Sequence, residues 1–397
     1  MRRHAPTATL NMVALDPEAE LPLYRQLYES IRKAILTGAL PFGARLPATR
    51  VLTQELRVSR NTILAAFDQL MAEGYLVGRI GSGVFVANLP PDQHLKVDLT
   101  TPRPDLQPRS PVREPQLSSR AESLDEIPLW RLHTRDAPRT FRPCLPDTRE
   151  FPSALWERLR SRVLRQRQME LFNYGEPAGY RRLREALTHY LRDARGVQCT
   201  PDQIIITAGS QQALQLIANV LLSPGDLAGV EEPGYFGAKS AFLHAGARLL
   251  PLLVDENGPV VPEGRRPHSP VLLYTTPSHQ FPLGQTMTLG RRVEMLEFAR
   301  QTGTWIIEDD YDSEYRYEGR PLASLQGLDD YGCVVYIGTM SKVLFPSLRL
   351  GYMVAPPRLA GALIKAKAIA DGQCPLIDQA TLAAFVEEGH FARHLRR

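Results

Sequence analysis

Apolar positions recur at helical spacing three times in the first ninety residues. Leu23, Leu27, Ile31, Ala34 and Ile35 share one face of a repeat that Gly38 stops, which predicts an amphipathic helix from Pro22. A second short helix is predicted from Thr49 through Val51, Leu52 and Leu56. After the turn Arg57-Val58, Ser59 can cap a third helix, with Ile63, Phe67, Leu70 and Met71 inside and Gly74 at its end. Tyr75-Leu76-Val77 and Val84-Phe85-Val86 then read as a hairpin closed by Gly78-Arg79-Ile80-Gly81-Ser82-Gly83. Two helices about a tight turn followed by a hairpin form a winged helix-turn-helix pattern. Ser59-Arg60-Asn61-Thr62 opens the helix that would enter a major groove, and the hairpin glycines let backbone amides approach phosphates.

Beyond this segment the pattern lapses. Residues 88–128 are rich in Pro, Ser, Arg and Asp, and prolines at 90, 91, 102, 104, 108, 111 and 115 exclude a continuous helix. The predicted division is a tail over 1–19, a DNA-binding domain over 20–87, a stiff linker over 88–128 and a second domain over 129–397.

In the second domain helical patterns alternate with short apolar runs. Helices are predicted at Ser153–Gln168, Gly179–Asp193 and Gln211–Leu222. Strands are predicted at 204–206, 227–230, 247–253, 271–274, 304–307 and 334–337. Such alternation predicts an α/β fold whose mostly parallel sheet is covered by helices on both faces. Ligands of such sheets sit at the carboxyl ends of the strands.

Composition narrows the class only a little. Apolar content of 43% and charged content of 23% are those of a globular chain. No run approaches the roughly 18 apolar residues of a membrane span, so no membrane association is expected. Cys144, Cys199, Cys333 and Cys374 lie far apart without a C-x-x-C spacing, so neither a metal site nor a disulfide framework is expected, and a reduced cytoplasmic setting follows. The net charge of +4 permits an anionic partner without demanding one. Placement says more: Arg45, Arg50, Arg60 and Arg79 fall at the loop, the helix starts and the wing that the motif aims at a duplex.

The candidate chemistry gathers just after the predicted strands. Thr207-Ala-Gly-Ser210-Gln211-Gln212 is a small-residue turn opening a helix, a ready seat for a phosphate. Tyr235 offers a face to stack on a flat ring, and His279 follows a third strand. Glu308-Asp309-Asp310-Tyr311 places three carboxylates in a row at a buried strand's end, where they need cationic or hydrogen-bonding partners. Gly338-Thr339-Met-Ser341-Lys342, with Arg349 seven residues on, holds hydroxyls, a lysine and a guanidinium together. A lysine in a dry pocket is costly unless paired, and condensing it with an aldehyde removes that cost. Pyridoxal 5'-phosphate would use all of these: an aldehyde for Lys342, a phosphate for Ser210, Gln211, Thr339 and Arg349, a ring face for Tyr235 and a pyridine nitrogen for Asp309.

Arg45-Leu-Pro47-Ala-Thr-Arg50, Val58-Ser-Arg60-Asn-Thr62 and Arg79-Ile-Gly-Ser-Gly83 resemble the winged helix of GntR-type regulators. By that resemblance Arg50, Ser59, Arg60, Asn61, Thr62 and Gly81 lie at the DNA surface. Asn173-Tyr-Gly-Glu-Pro-Ala-Gly179, Thr276-Pro-Ser-His-Gln-Phe-Pro282, Ile307-Glu-Asp-Asp-Tyr-Asp-Ser-Glu314 and Gly338-Thr-Met-Ser-Lys342 resemble fold-type I aminotransferases, in the subgroup fused to GntR domains. That subgroup is the MocR family of pyridoxal-phosphate-dependent regulators. The resemblance implies that Lys342 carries the cofactor as a Schiff base, that Asp309 pairs with the pyridine nitrogen and that Tyr311 reaches the ring oxygen. It further implies that Tyr174 is given to a neighbouring subunit's phosphate, hence a homodimer. The sequence departs from the family at Cys144, where glycine is usual. It also stops at Arg397, inside an amphipathic helix holding Leu382, Phe385, Val386, Phe391 and Leu395, so the family's small C-terminal domain, with its carboxylate-binding arginine, is expected to be incomplete.

The leading expectation is a regulator that binds operator DNA as a dimer and senses pyridoxal phosphate, or its imine with an amine or amino acid. The alternatives are a working aminotransferase that carries a DNA-binding domain, with Lys342 as general base, and a DNA-binding protein whose large domain is a dimerisation scaffold.

Overall fold

The computed structural model describes residues 13, 15–19, 21–79, 82–87, 115–118, 121, 124, 127, 145–263, 269–315 and 323–397. Gly81, Cys144 and most of the 88–128 linker lie outside the described residues. The chain divides into two compact units, Met1–Glu114 and Pro115–Arg397.

The first unit is built on α1 (Leu23–Leu36), α2 (Thr49–Leu56) and α3 (Arg60–Ala72). Its core joins Leu27, Ile31 and Ile35 of α1 to Leu52 of α2 and Ile63, Phe67 and Leu70 of α3. Each such side chain contributes about 1.5–3 kcal/mol by leaving water. Ser59 caps α3 by accepting from the Thr62 amide at 3.1 Å. Arg57 makes the turn between α2 and α3 in the left-handed region, at φ 51°. The antiparallel hairpin pairs β1 (Leu76–Arg79) with β2 (Gly83–Val86), Leu76 opposite Val86 and Arg79 opposite Gly83. Residues 44–46 lie along its free edge, the Leu46 amide donating to the Val84 carbonyl and the Val86 amide to that of Ala44.

The second unit is centred on an eight-stranded sheet. In chain order its elements are α4 (Ser153–Leu171), α5 (Arg181–Arg195), β3 (Ile204–Thr207), α6 (Ser210–Leu221), β4 (Leu227–Glu232), α7 (Phe236–His244), β5 (Arg248–Asp255), β6 (Gly258–Pro259) and β7 (Leu272–Thr275). Then come α8 (Leu289–Thr302), β8 (Trp305–Asp310), β9 (Val334–Thr339), β10 (Gly351–Val354), α9 (Pro357–Asp371), α10 (Leu376–Glu387) and α11 (His390–Leu395). The spatial order is β3-β10-β9-β8-β7-β4-β5-β6. All neighbours run parallel except at β10, antiparallel to both β3 and β9, and at β6, antiparallel to β5. Strands β3, β7, β9 and β10 are buried along their whole length, because helices cover both faces.

One expectation needs correcting. The C-terminal apolar pattern is two helices rather than one. Gly389, at φ 72°, ends α10 and starts α11, and that left-handed residue turns the chain between Val386 and Phe391.

Candidate functional site

Register assembles the site in the second unit. Gly351 of β10 lies opposite both Thr207 of β3 and Thr339 of β9, so the ends of three strands form one row. Asp310 of β8 lies opposite Gly338, one position behind that row. Turns carrying Ser210, Lys342, Arg349 and Tyr311 therefore leave the sheet along one edge, where a parallel sheet holds its ligand.

At one end of the edge is an anion seat. After β3 the chain turns at Gly209, at φ 96°, and enters α6 with Ser210 and Gln211 in the first turn, whose free amides favour negative charge. Arg349 leans over this turn and donates from Nη2 to the Ala208 carbonyl at 2.7 Å. Close glycines make this possible: a Cβ on Gly351 would lie 2.8 Å from Gly209 Cα. Gln212, noted in the sequence only as part of the motif, holds the turn from behind, its Oε1 accepting from the Ala208 amide at 2.8 Å. Thr339 Oγ1 accepts from the Ser341 amide at 3.2 Å, which sets the turn leading to Lys342.

An aromatic wall borders the seat. Gln211 donates from Nε2 to the Gly237 carbonyl at 3.0 Å, and a Cβ on Gly237 would fall 2.4 Å from both Gln211 Oε1 and Tyr235 Cε1. Tyr235 and Gln211 thus meet over a residue that must be small. Phe281 stands edge-on to Tyr235 at 5.8 Å between centroids and to Tyr311 at 6.3 Å. Sequence reasoning did not single out Phe281. The loop that carries it is clamped by Glu231, which is wholly buried and accepts from Thr275 Oγ1 at 2.6 Å, Thr276 N at 2.9 Å, Thr276 Oγ1 at 2.6 Å and Gln280 Nε2 at 3.1 Å. Burial pushes the Glu231 carboxyl up, against the opposing pull of those donors. His279, in the same loop, has Nδ1 2.8 Å from Asp312 Oδ1.

Asp309 is 4% exposed. Its Oδ2 accepts from the Tyr274 hydroxyl at 2.8 Å, while its Oδ1 has no hydrogen-bond partner among the described residues. Burial pushes its carboxyl up to about 7, Tyr274 opposes this, Asp310 and Glu231 add to it, and the Lys342 ammonium draws it back down. Lys342 and Asp309 therefore share one electrostatic neighbourhood. Ser341 Oγ is likewise buried with no hydrogen-bond partner among the described residues. An acceptor aimed at nothing beside an anion seat, a flat aromatic wall and a lysine fits pyridoxal phosphate: Asp309 for the ring nitrogen, Tyr235 for the ring face, and Ser210, Gln211 and Arg349 for the phosphate. Tyr274, which orients Asp309, was read only as a strand residue; a buried tyrosine hydroxyl's need for a partner was the available signal.

Tyr174 is not in this cluster. It is 99% exposed. Its turn is nevertheless fixed, because the Gly175 amide donates to Gln373 and the Tyr180 amide donates to buried Gln379 Oε1 at 2.7 Å.

In the first unit, Arg45, Arg50, Arg60, Arg79, Ser59 and Asn61 are exposed, and Thr62 is half-buried. Ser59 and Thr62 hydroxyls lie 2.8 Å apart and are engaged in the cap. Arg45 packs along Gly83, and Arg79 lies over the Phe85 ring at 4.8 Å, so two guanidiniums are fixed on the wing.

Residues 23–86 match the model for bacterial regulatory proteins of the gntR family, and residues 146–386 match aminotransferase class I and II. The chain is 44% identical to the probable rhizopine catabolism regulatory protein MocR of Rhizobium meliloti, over 97% of this chain and 76% of that one. It is 32% identical to the pyridoxine biosynthesis transcriptional regulator PdxR of Corynebacterium glutamicum, over 97% of this chain and 77% of that one. The kynurenine aminotransferase of Pyrococcus horikoshii, solved with PMP, superposes with a TM-score of 0.60 at 29% identity, covering 71% of this chain and 70% of that one. Among the described residues no helix is long and apolar enough to cross a membrane.

Proposed function

We propose, from the premise that this chain belongs to the MocR-type GntR regulators, which join a winged-helix domain to a pyridoxal-phosphate-binding aminotransferase-like domain, that it binds operator DNA as a homodimer and senses an amine or amino acid at Lys342. The observation that carries the ligand half is the unpartnered buried oxygen of Asp309 within the electrostatic reach of Lys342. When bound, pyridoxal phosphate supplies an aldehyde that condenses reversibly with amines and a ring that withdraws electrons. The chain's own residues do the rest. Ser210, Gln211 and Arg349 hold the phosphate, with Thr339 and Ser341 shaping the turn beside it. Tyr235, steadied by Phe281, excludes water from one ring face. Asp309 keeps a proton on the ring nitrogen, Tyr311 and His279 border the opening, and Lys342 accepts or returns a proton at Nζ when an amine takes its place.

Dimerisation is supported by the exposed, anchored Tyr174 and by exposed Met169, Phe172 and Ile369 on α4, the turn after it and α9. In the first unit Arg45, Arg50, Arg60 and Arg79, with Asn61, form the DNA face; the arginines meet phosphates and Asn61 is placed for base edges.

The test titrates the pyridoxal-phosphate-loaded protein with primary amines while following cofactor absorbance and operator affinity together. Both should change in step, and both responses should vanish in Lys342→Ala. An absorbance change that saturates while DNA affinity stays constant refutes the sensing role. Turnover of an amino acid with a keto acid would make the chain an enzyme as well.

A further inference from the structure

Lys367, near the end of α9, is fully buried, a rare place for a lysine, and the site described above does not use it. Its Nζ donates to Oδ1 of Asp371, four residues on and last in the same helix. Burial pushes the nearby Cys374 thiol up, and the charge of Lys367 beside it draws it back. An exposed pair at this spacing gains little, because water competes for both charges. Here the lysine has no water to turn to, so it keeps hold of Asp371, and Asp371, one-third exposed, is fixed in place by it.

Asp371 passes that constraint to the anion seat. Its Oδ2 accepts from Gln212 Nε2 at 2.7 Å. An ionised carboxylate only accepts, so Gln212 has to offer it the amino end of its amide. The carbonyl end is left for the Ala208 amide, which can only donate, at 2.8 Å. The Ala208 carbonyl accepts in turn from Arg349 Nη2 at 2.7 Å. Four hydrogen bonds in series thus run from a buried lysine to the guanidinium of the seat, each fixing how the next group points.

We propose, resting on the phosphate reading of the seat, that Lys367 is a positioning residue for the cofactor phosphate: through Asp371 and Gln212 it holds Ala208, and with it Arg349 and the first turn of α6, in the arrangement that receives the phosphate. Its loss weakens the hold on the phosphate alone. The hold on the ring and the aldehyde, through Tyr235, Asp309 and Lys342, stays as it was.

Pyridoxal 5'-phosphate and pyridoxal differ only in the phosphate. Each is titrated into the full chain prepared without cofactor, and absorbance gives the two dissociation constants, whose ratio measures what the phosphate contributes. Lys367→Met keeps the length of the side chain and removes the charge. It should lower the phosphate's advantage about tenfold and leave pyridoxal affinity unchanged, whereas a general loosening of the domain would weaken both ligands alike. Gln212→Leu should lower the advantage as far, and adding Lys367→Met to it should lower it no further. Should Lys367→Met not fold, Lys367→Met combined with Asp371→Ala, which leaves no charge of the pair behind, takes its place. Equal binding of both ligands by the wild type removes the phosphate reading of the seat, and this proposal with it. A wild type that prefers the phosphorylated ligand, beside a variant that keeps the full advantage or loses both ligands equally, overturns the role of Lys367 alone.

Discussion

Replacing Asp309 by asparagine should stabilise the cofactor-free protein at high pH while weakening its hold on pyridoxal phosphate. The carboxyl has one oxygen without a partner among the described residues and is pushed by burial from its ordinary 3.8 up to about 7. A carboxyl whose pKa is higher in the folded than in the unfolded chain binds its proton more tightly in the fold. Its contribution is therefore fully present below about pH 4 and is lost as the pH rises through about 7. Three pKa units correspond to about 4 kcal/mol, of which about 3 kcal/mol disappears between pH 5 and pH 8. Asparagine cannot ionise, yet its carbonyl can still accept from Tyr274. Glu308 and Glu314, also lifted to about 7, are common to both proteins and cancel. Urea unfolding of cofactor-free wild type and Asp309→Asn, at pH 5 and pH 8, reads the difference directly. The stability difference should move in the variant's favour by about 3 kcal/mol between those pH values. A difference that does not change with pH refutes the reasoning. With pyridoxal phosphate bound, the wild type should lose most of this pH dependence, since a ring N–H then gives the carboxylate its missing partner.

Arg60→Ala should weaken operator binding about tenfold at one fixed salt concentration, with cofactor content unchanged. Equal binding by both proteins removes Arg60 from the DNA face. Ser59→Ala takes away the acceptor of the Thr62 amide and should cost the first unit about 1 kcal/mol in thermal unfolding, whereas Ser59→Gly should cost only a few tenths.

What was legible in the sequence, and what was not, divides along physical lines. The three helices of the first unit could be placed because each carries its own apolar face and its own stop: Gly38, Leu56 before the left-handed Arg57, and Gly74. The parallel strands could be read because burial on both faces leaves short continuous apolar runs. Strand β10 was missed: Gly351-Tyr-Met-Val354 is short, begins with glycine and follows a site arginine instead of a turn. Helices α7, α8 and α9 also went unread, two of them too weakly patterned for their periodicity to stand out. In the site, residues that follow a strand were found because the fold puts ligands there. The partners that hold them were not, because Tyr274 meets Asp309, Arg195 meets Asp310 and Thr276 meets Glu231 only through the folded sheet.

The reversed strand β10 has a consequence for how this protein comes into being on the ribosome. Since it runs between β3 and β9 and delivers Arg349 onto the Ala208 carbonyl, the anion seat draws on segments from both ends of the sheet-forming sequence. A nascent chain emerging only as far as Lys342 has the lysine but lacks Arg349 and its supporting strand β10, so vitamin B6 cannot template the early steps of its own binding site. Loops this long close slowly, and capture of the cofactor reports completion of the sheet instead of initiating it.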